Sequence, residues 1–135
     1  MVNVVAAIIA AIVNFVIGFV WYSPMVFGKR WQKLSGIDAK KMNEMKKDMP
    51  MRYIGGIVTS FIMAWVLAII IQDYAHATMA STGALIGFWV WLGFFATASL
   101  GMFLWEGKSI DLWTLNNVLH LIVLIVMGAI IGMMP

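Results

Sequence analysis

The sequence predicts an all-α integral membrane protein, a four-transmembrane-helix antiparallel bundle with a basic, partly helical first cytoplasmic loop. Three observations predict it. Of 135 residues 63% are hydrophobic and 11% charged, where a soluble domain carries roughly 25% charged, and the mean hydropathy is +0.94. The apolar residues fall into four runs, each long enough to cross roughly 30 Å of hydrocarbon at 1.5 Å per residue. The polar residues gather between the runs, and eight of the nine Lys and Arg lie from Lys29 to Arg52. Runs of this length argue against a membrane β-barrel, whose strands take about 9–11 alternating residues. A chain of 15.0 kDa is one domain, residues 1–135.

The first helix is expected over about residues 2–23. The run carries no charge before Lys29 and ends in Trp-Tyr. It lacks the basic start and small-residue cleavage site of a signal peptide, so it is expected to be retained. Pro24 has no amide hydrogen and disfavours helix at Ser23, which ends the helix there. The stretch from Trp21 to Trp31 then reads as a membrane-exit device. Trp21, Tyr22, Phe27 and Trp31 are interface aromatics, Pro24 breaks the helix, Gly28 allows a turn, and Lys29 opens the basic segment.

The polar loop spans about 28–52. Ser35-Gly36 reads as a turn, and Asp38 is placed to cap a short helix over Ala39–Met49. Met42, Met45 and Met49 recur at i, i+3, i+7, a narrow apolar edge suited to lying along headgroups. Pro50 is expected to end that helix. The remaining spans are expected over about 53–72, 83–105 and 112–134, joined by short connections that make neighbours antiparallel. The first and third connections share a side and hold all nine Lys and Arg, while Asp73 is the only charged side chain opposite. The positive-inside rule then puts the basic loop in the cytoplasm and both termini outside. The expected location is the cell (inner, plasma) membrane.

Helix pairing in lipid relies on close approach of small residues and on hydrogen bonds. Each span offers a strip four residues apart: Ala10, Asn14 and Gly18; Gly56, Ser60, Ala64 and Ala68; Gly83 with Gly87, then Gly93, Thr97 and Gly101; and Asn116, His120, Gly128 and Gly132, with Leu124 filling the gap. These predict a tight bundle, a homo-oligomer, or both. Polar side chains inside a membrane are candidate functional groups. Asn14, Asn116, Asn117 and His120 are the candidate buried polar contacts, read equally as groups that hydrogen-bond across helices. Asn14 is a candidate partner for the Asn116–His120 end of the last helix if the two meet at one depth. Trp21, Trp105 and Trp113 read as interface anchors, and Trp89 and Trp91 as packing residues.

Catalytic groupings are few. No Gly-rich phosphate loop, paired intramembrane carboxylates or Ser-His-Asp set appears, and His76 and His120 fall at different depths. The absence of Cys excludes disulfides and thiolate chemistry. No catalytic residue, metal or cofactor is expected. The net charge of +3 is local, on an apolar background, so the partners expected are the lipid bilayer and anionic headgroups at the basic loop, with no nucleic acid.

The pattern Trp-Tyr-Ser-Pro-x-x-Phe-Gly-Lys-x-Trp from Trp21 to Trp31 follows an Ala-rich helix with Gly18. It resembles the opening signature of the bacterial membrane family catalogued as domain of unknown function 1761. The polar insert, three further apolar helices and the Gly-rich end Met127-Gly128-Ala129-Ile130 are similar in outline. The resemblance implies a small multi-spanning membrane protein with no assigned activity. Two function classes stay open. One is a non-enzymatic oligomeric module for solute or ion passage or partner support. The other is a membrane enzyme or lipid-binding protein acting on lipid-like ligands at the inner face, drawing on Tyr22, Lys29, Arg30, Glu106 or Asp111.

Overall fold

Backbone N–H and C=O groups find no water in hydrocarbon, so each apolar run satisfies them internally as a helix. The computed structural model describes residues 1–135 and contains helices and connections but no strand. Four helices are long and apolar enough to cross a membrane: α1 (Val4–Trp21), α4 (Met49–Tyr74), α5 (Ala80–Leu104) and α6 (Ile110–Met133). Two short helices, α2 (Gly28–Ser35) and α3 (Ala39–Lys46), form the basic connection.

Local chemistry sets the boundaries. Asn3 caps α1, its side-chain oxygen accepting the Ala6 amide at 3.2 Å. Asp38 accepts the Lys41 amide at 2.8 Å and starts α3, while Ser109 accepts the Leu112 amide at 3.1 Å and starts α6. Gly36 ends α2 with φ 72°, a left-handed conformation that glycine adopts without strain. Two boundaries differ from the sequence reading. The basic loop carries α2 before the Ser35-Gly36 turn, in addition to the one helix expected over Ala39–Met49. Pro50 does not close α3: it stands in the first turn of α4, which begins at Met49 rather than near 53. A proline fits there because first-turn amides have no intrahelical partner to lose.

Both α4 and α5 contain wide π-type turns, over Ile69–Tyr74 and Trp91–Ala96. Such turns shift the register of a helix by one residue and loosen its carbonyls for outside donors. The Ala96 carbonyl accepts the Trp113 indole N–H at 3.3 Å.

Helix α6 is the hub. Half of its apolar window is buried, against 11% for α5, which faces mostly outward. On one side α6 meets α1, which in turn packs on α4. On the other it meets α5. Ala7 and Ala10 of α1, Ala64 and Ala68 of α4, and Val123 and Met127 of α6 belong to one core near the ends that carry the termini. The alanines let α1 and α4 come close. At Gly83 and Gly87, α5 meets α6 with no side chain between the two backbones. A methyl at Gly83 would stand 2.8 Å from the Gly128 carbonyl carbon and 3.0 Å from the Gly132 Cα, and one at Gly87 would strike the Leu124 carbonyl. Of the strip Gly93, Thr97, Gly101, the first two are exposed, and a methyl at Gly101 would meet only Trp105, at 3.9 Å. Gly93 has open space, and Thr97 turns its hydroxyl back onto the Gly93 carbonyl at 2.7 Å.

The termini meet at the same end of the bundle. The Asn3 amide donates to Gln72 Oε1 at 2.7 Å, and Asn3 Nδ2 donates to the Met134 carbonyl at 3.0 Å. Gln72 Nε2 donates to the carbonyls of Met134 and Ile131, at 2.9 and 3.1 Å. This clasp ties α1, α4 and α6 together. Its residues were not singled out from the sequence, although Asn directly before an apolar run is a helix-start signal.

Candidate functional site

At the opposite, basic end the bundle opens, and the exit stretch shapes the opening. After α1 the chain doubles back. The Phe27 amide donates to the Trp21 carbonyl at 3.0 Å and the Gly28 amide to the Ser23 carbonyl at 2.8 Å. The first residue of α2 thereby lies directly on the turn backbone, where a methyl at Gly28 would stand 2.7 Å from the Ser23 carbonyl carbon. The fold-back sorts the aromatics into two pairs. Trp21 meets Phe27 with ring centroids 4.5 Å apart, and Tyr22 meets Trp31 edge-on at 5.6 Å. Pro24 and Lys29 stay exposed on the outside of the turn.

Tyr22 then reaches across to α6, donating its hydroxyl proton to Asn116 Oδ1 at 2.7 Å. One turn further along α6, the His120 ring lies 4.9 Å from Phe95, at a tilt of 34°. Its nitrogens make no hydrogen bond in the chain and are not sealed from the cavities beside them. Two cavities of about 590 Å³ each flank this group. The first lies against α5 and is lined by Phe95, Met102 and Asn116. The second lies between α1, α3 and α4 and is lined by Asn14, Phe15, Met42, Met45 and Met63. Tyr22, Trp31 and His120 line both and form the wall between them. Each volume is in the range of roughly 300–1,000 Å³ that suits a small ligand.

The four polar candidates therefore separate. Asn116 and His120 face the first cavity with Tyr22. Asn14 lies in the second, its Nδ2 at 3.7 Å from the Met63 sulfur, and its hydrogen bond is to that thioether rather than to α6. Asn117 is 3% exposed and locks α5 onto α6. Its side-chain oxygen accepts from Ser99 at 3.0 Å, its Nδ2 donates to the Trp113 carbonyl at 2.9 Å, and its own carbonyl accepts the Trp91 indole at 2.9 Å. Trp113 adds a bond to Ser99 Oγ at 3.1 Å. Trp91 is thus a packing residue, whereas Trp89 is 58% exposed and packs on little inside the chain.

Sequence reasoning missed Phe95, Met63 and Met102. The Met42–Met45–Met49 edge, expected to lie along the headgroups, also lines the second cavity. An apolar stripe shows that a helix face is buried, but not against what. Chemically, the walls offer a phenol, the carboxamides of Asn14, Asn116 and Asn117, each already hydrogen-bonded, and an imidazole on a background of aromatic and thioether groups, with no carboxylate.

No curated protein and no solved structure shows significant similarity to the chain. A family model described as "Protein of unknown function (DUF1761)" matches residues 5–132, nearly the whole length, and the aromatic exit stretch that shapes the cavities lies inside the match. By that match, the chain belongs to the DUF1761 family.

Proposed function

We propose that the protein is a non-enzymatic membrane module that holds an amphipathic, lipid-like molecule at the inner membrane face, its polar end against Tyr22, Asn116 and His120. The observation that carries this reading is the shared wall. An imidazole without a partner is costly at membrane depth, and here it opens onto two largely apolar cavities. A ligand with an apolar body and one hydrogen-bonding end would satisfy the imidazole and fill the space. The cavities are built from helices rather than mobile loops, which suits retention. The expected result is that protein purified in mild detergent carries a small apolar molecule visible by native mass spectrometry. His120→Leu and Asn116→Leu should each lower its occupancy about tenfold, by removing about 1.4 kcal/mol of polar contact. His120→Leu should leave thermal stability almost unchanged, because His120 has no bond in the chain to lose. Empty wild-type protein, or variants as loaded as the wild type, would refute the reading.

The inner face is assigned from charge. All nine Lys and Arg lie at the cavity end, and the terminal end has Asp73 as its only charged side chain. The proposed orientation puts the cavities on the cytoplasmic side of the cell membrane and the termini outside. The chain has no Cys, so Lys40→Cys provides a single labelling site. It should react with a membrane-impermeant maleimide only after the cells are opened, and labelling of intact cells would reverse the orientation.

A further inference from the structure

A smaller depression of about 200 Å³ lies beside the exit stretch, between Trp21, Phe27 and Arg30 on one side and α6 on the other. It is separate from the two cavities and shares no lining residue with them. Arg30, in the first turn of α2, and Asp111, in the first turn of α6, both line it and are both exposed. They do not pair: the one ion pair in the chain is between the Met1 ammonium and Asp73. Two opposite charges thus line the mouth of one groove without an ion pair between them. Thr114 stands beside them, its hydroxyl proton given to the Ile110 carbonyl at 2.8 Å, which leaves its oxygen lone pairs as acceptors. Beyond Thr114 the groove becomes apolar along Leu115 and Val118. The exposed Ile122 continues that face into the span.

We propose that this groove binds the headgroup of a zwitterionic phospholipid that carries a primary ammonium. A guanidinium presents paired N–H donors to phosphate oxygens. A primary ammonium gives three N–H donors to a carboxylate. In such a headgroup the phosphate and ammonium are two carbons apart, so one molecule spans unlike charges that do not touch. The acyl chains then run along Val118 and Ile122, from the polar mouth toward hydrocarbon. A headgroup with a phosphate but no ammonium would leave Asp111 facing like charge. A quaternary ammonium would have no N–H for the carboxylate. The groove thus discriminates among lipids that net charge alone would not separate.

The test adds phosphoethanolamine, phosphocholine and phosphoglycerol lipids with identical acyl chains to the detergent-purified full chain and counts adducts by native mass spectrometry. Wild-type protein should retain the phosphoethanolamine lipid about fivefold over each of the others, the worth of one partly exposed charge pair. Asp111→Asn should bring the ratio near one, and Arg30→Gln, which removes the contact to the phosphate common to all three lipids, should lower the retention of all three, neither shifting the melting temperature since both side chains are exposed. Lys29→Gln and His120→Leu should leave the ratio intact, which separates this groove from the cavities and from the reading built on them. Equal retention of the three lipids by the wild type would overturn the proposal. So would a preference that survives Asp111→Asn, retention unchanged in Arg30→Gln, or full displacement by soluble phosphoethanolamine, which would mark a site for a free phosphate ester.

Discussion

Gly83→Ala is expected to lower the stability of the protein by about 3 kcal/mol, the upper end of the range for overpacking. Two effects oppose each other. Alanine is the better helix former by about 1 kcal/mol, so the substitution would stabilise a helix that stood free. Here the new methyl meets backbone. It would fall on the Gly128 carbonyl and crowd the Gly132 Cα, and neither can rotate away as a side chain would. Separating α5 from α6 would also strain the lock at Asn117, Ser99 and Trp113. Unfolding in mixed SDS and dodecylmaltoside micelles measures the effect, with Gly93→Ala as control because Gly93 has open space around it. Similar losses at both positions would mean that the α5–α6 contact is not what holds this side of the bundle. Gly128→Leu, at the facing position, should be worse still.

Gly28→Ala should cost about 2 kcal/mol by the same mechanism, and its consequence for the site is larger. The methyl would be wedged against the Tyr22 and Ser23 backbone. Either α2 moves away or the exit turn opens. Both outcomes displace Trp31 from Tyr22 and Tyr22 from Asn116, so the wall between the cavities is lost. Tryptophan fluorescence and ligand retention should therefore change together with stability. Gly18→Ala provides the comparison, since nothing lies within 4 Å of the position in α1. It should be neutral or slightly stabilising. A stable Gly28→Ala variant with unchanged fluorescence would remove the role assigned to the fold-back.

The exit stretch shows how far sequence reasoning reaches into the site. Pro24 as the helix break and Gly28 as the turn residue follow from backbone chemistry, and the structure ends α1 at Trp21. That the turn folds back far enough for Gly28 to touch the Ser23 backbone is a three-dimensional result. It is this contact that pairs Tyr22 with Trp31. Likewise the strip along α6 was legible as four small or polar residues at a spacing of four. Residues four apart drift by about 40° around a helix, so the strip winds from one neighbour to another. Its glycine end meets α5, while Asn116 and His120 turn toward the exit stretch and the cavities. Nothing along one helix says where that handover occurs, because it depends on where the neighbours stand.

What the sequence by itself determined is the class, the number of spans, their antiparallel order and the separation of basic residues from the termini. Each follows from a property of the chain taken locally. A run of apolar residues must bury its backbone hydrogen bonds as helix, and short connections leave successive helices side by side. Only the tertiary structure decided which small residues carry contact. Gly83 and Gly128 meet backbone to backbone, while Gly18, Gly55 and Gly93 face open space, although all five are glycines in apolar helices. It alone decided that His120 lacks a partner, that Asn117 has three, and that the methionine edge of α3 covers a cavity. The physical reason is that in lipid the outside of a helix is as apolar as its inside. Hydrophobicity then marks the span without marking its buried face, and contact is settled by shape, which exists only once the helices are set against one another.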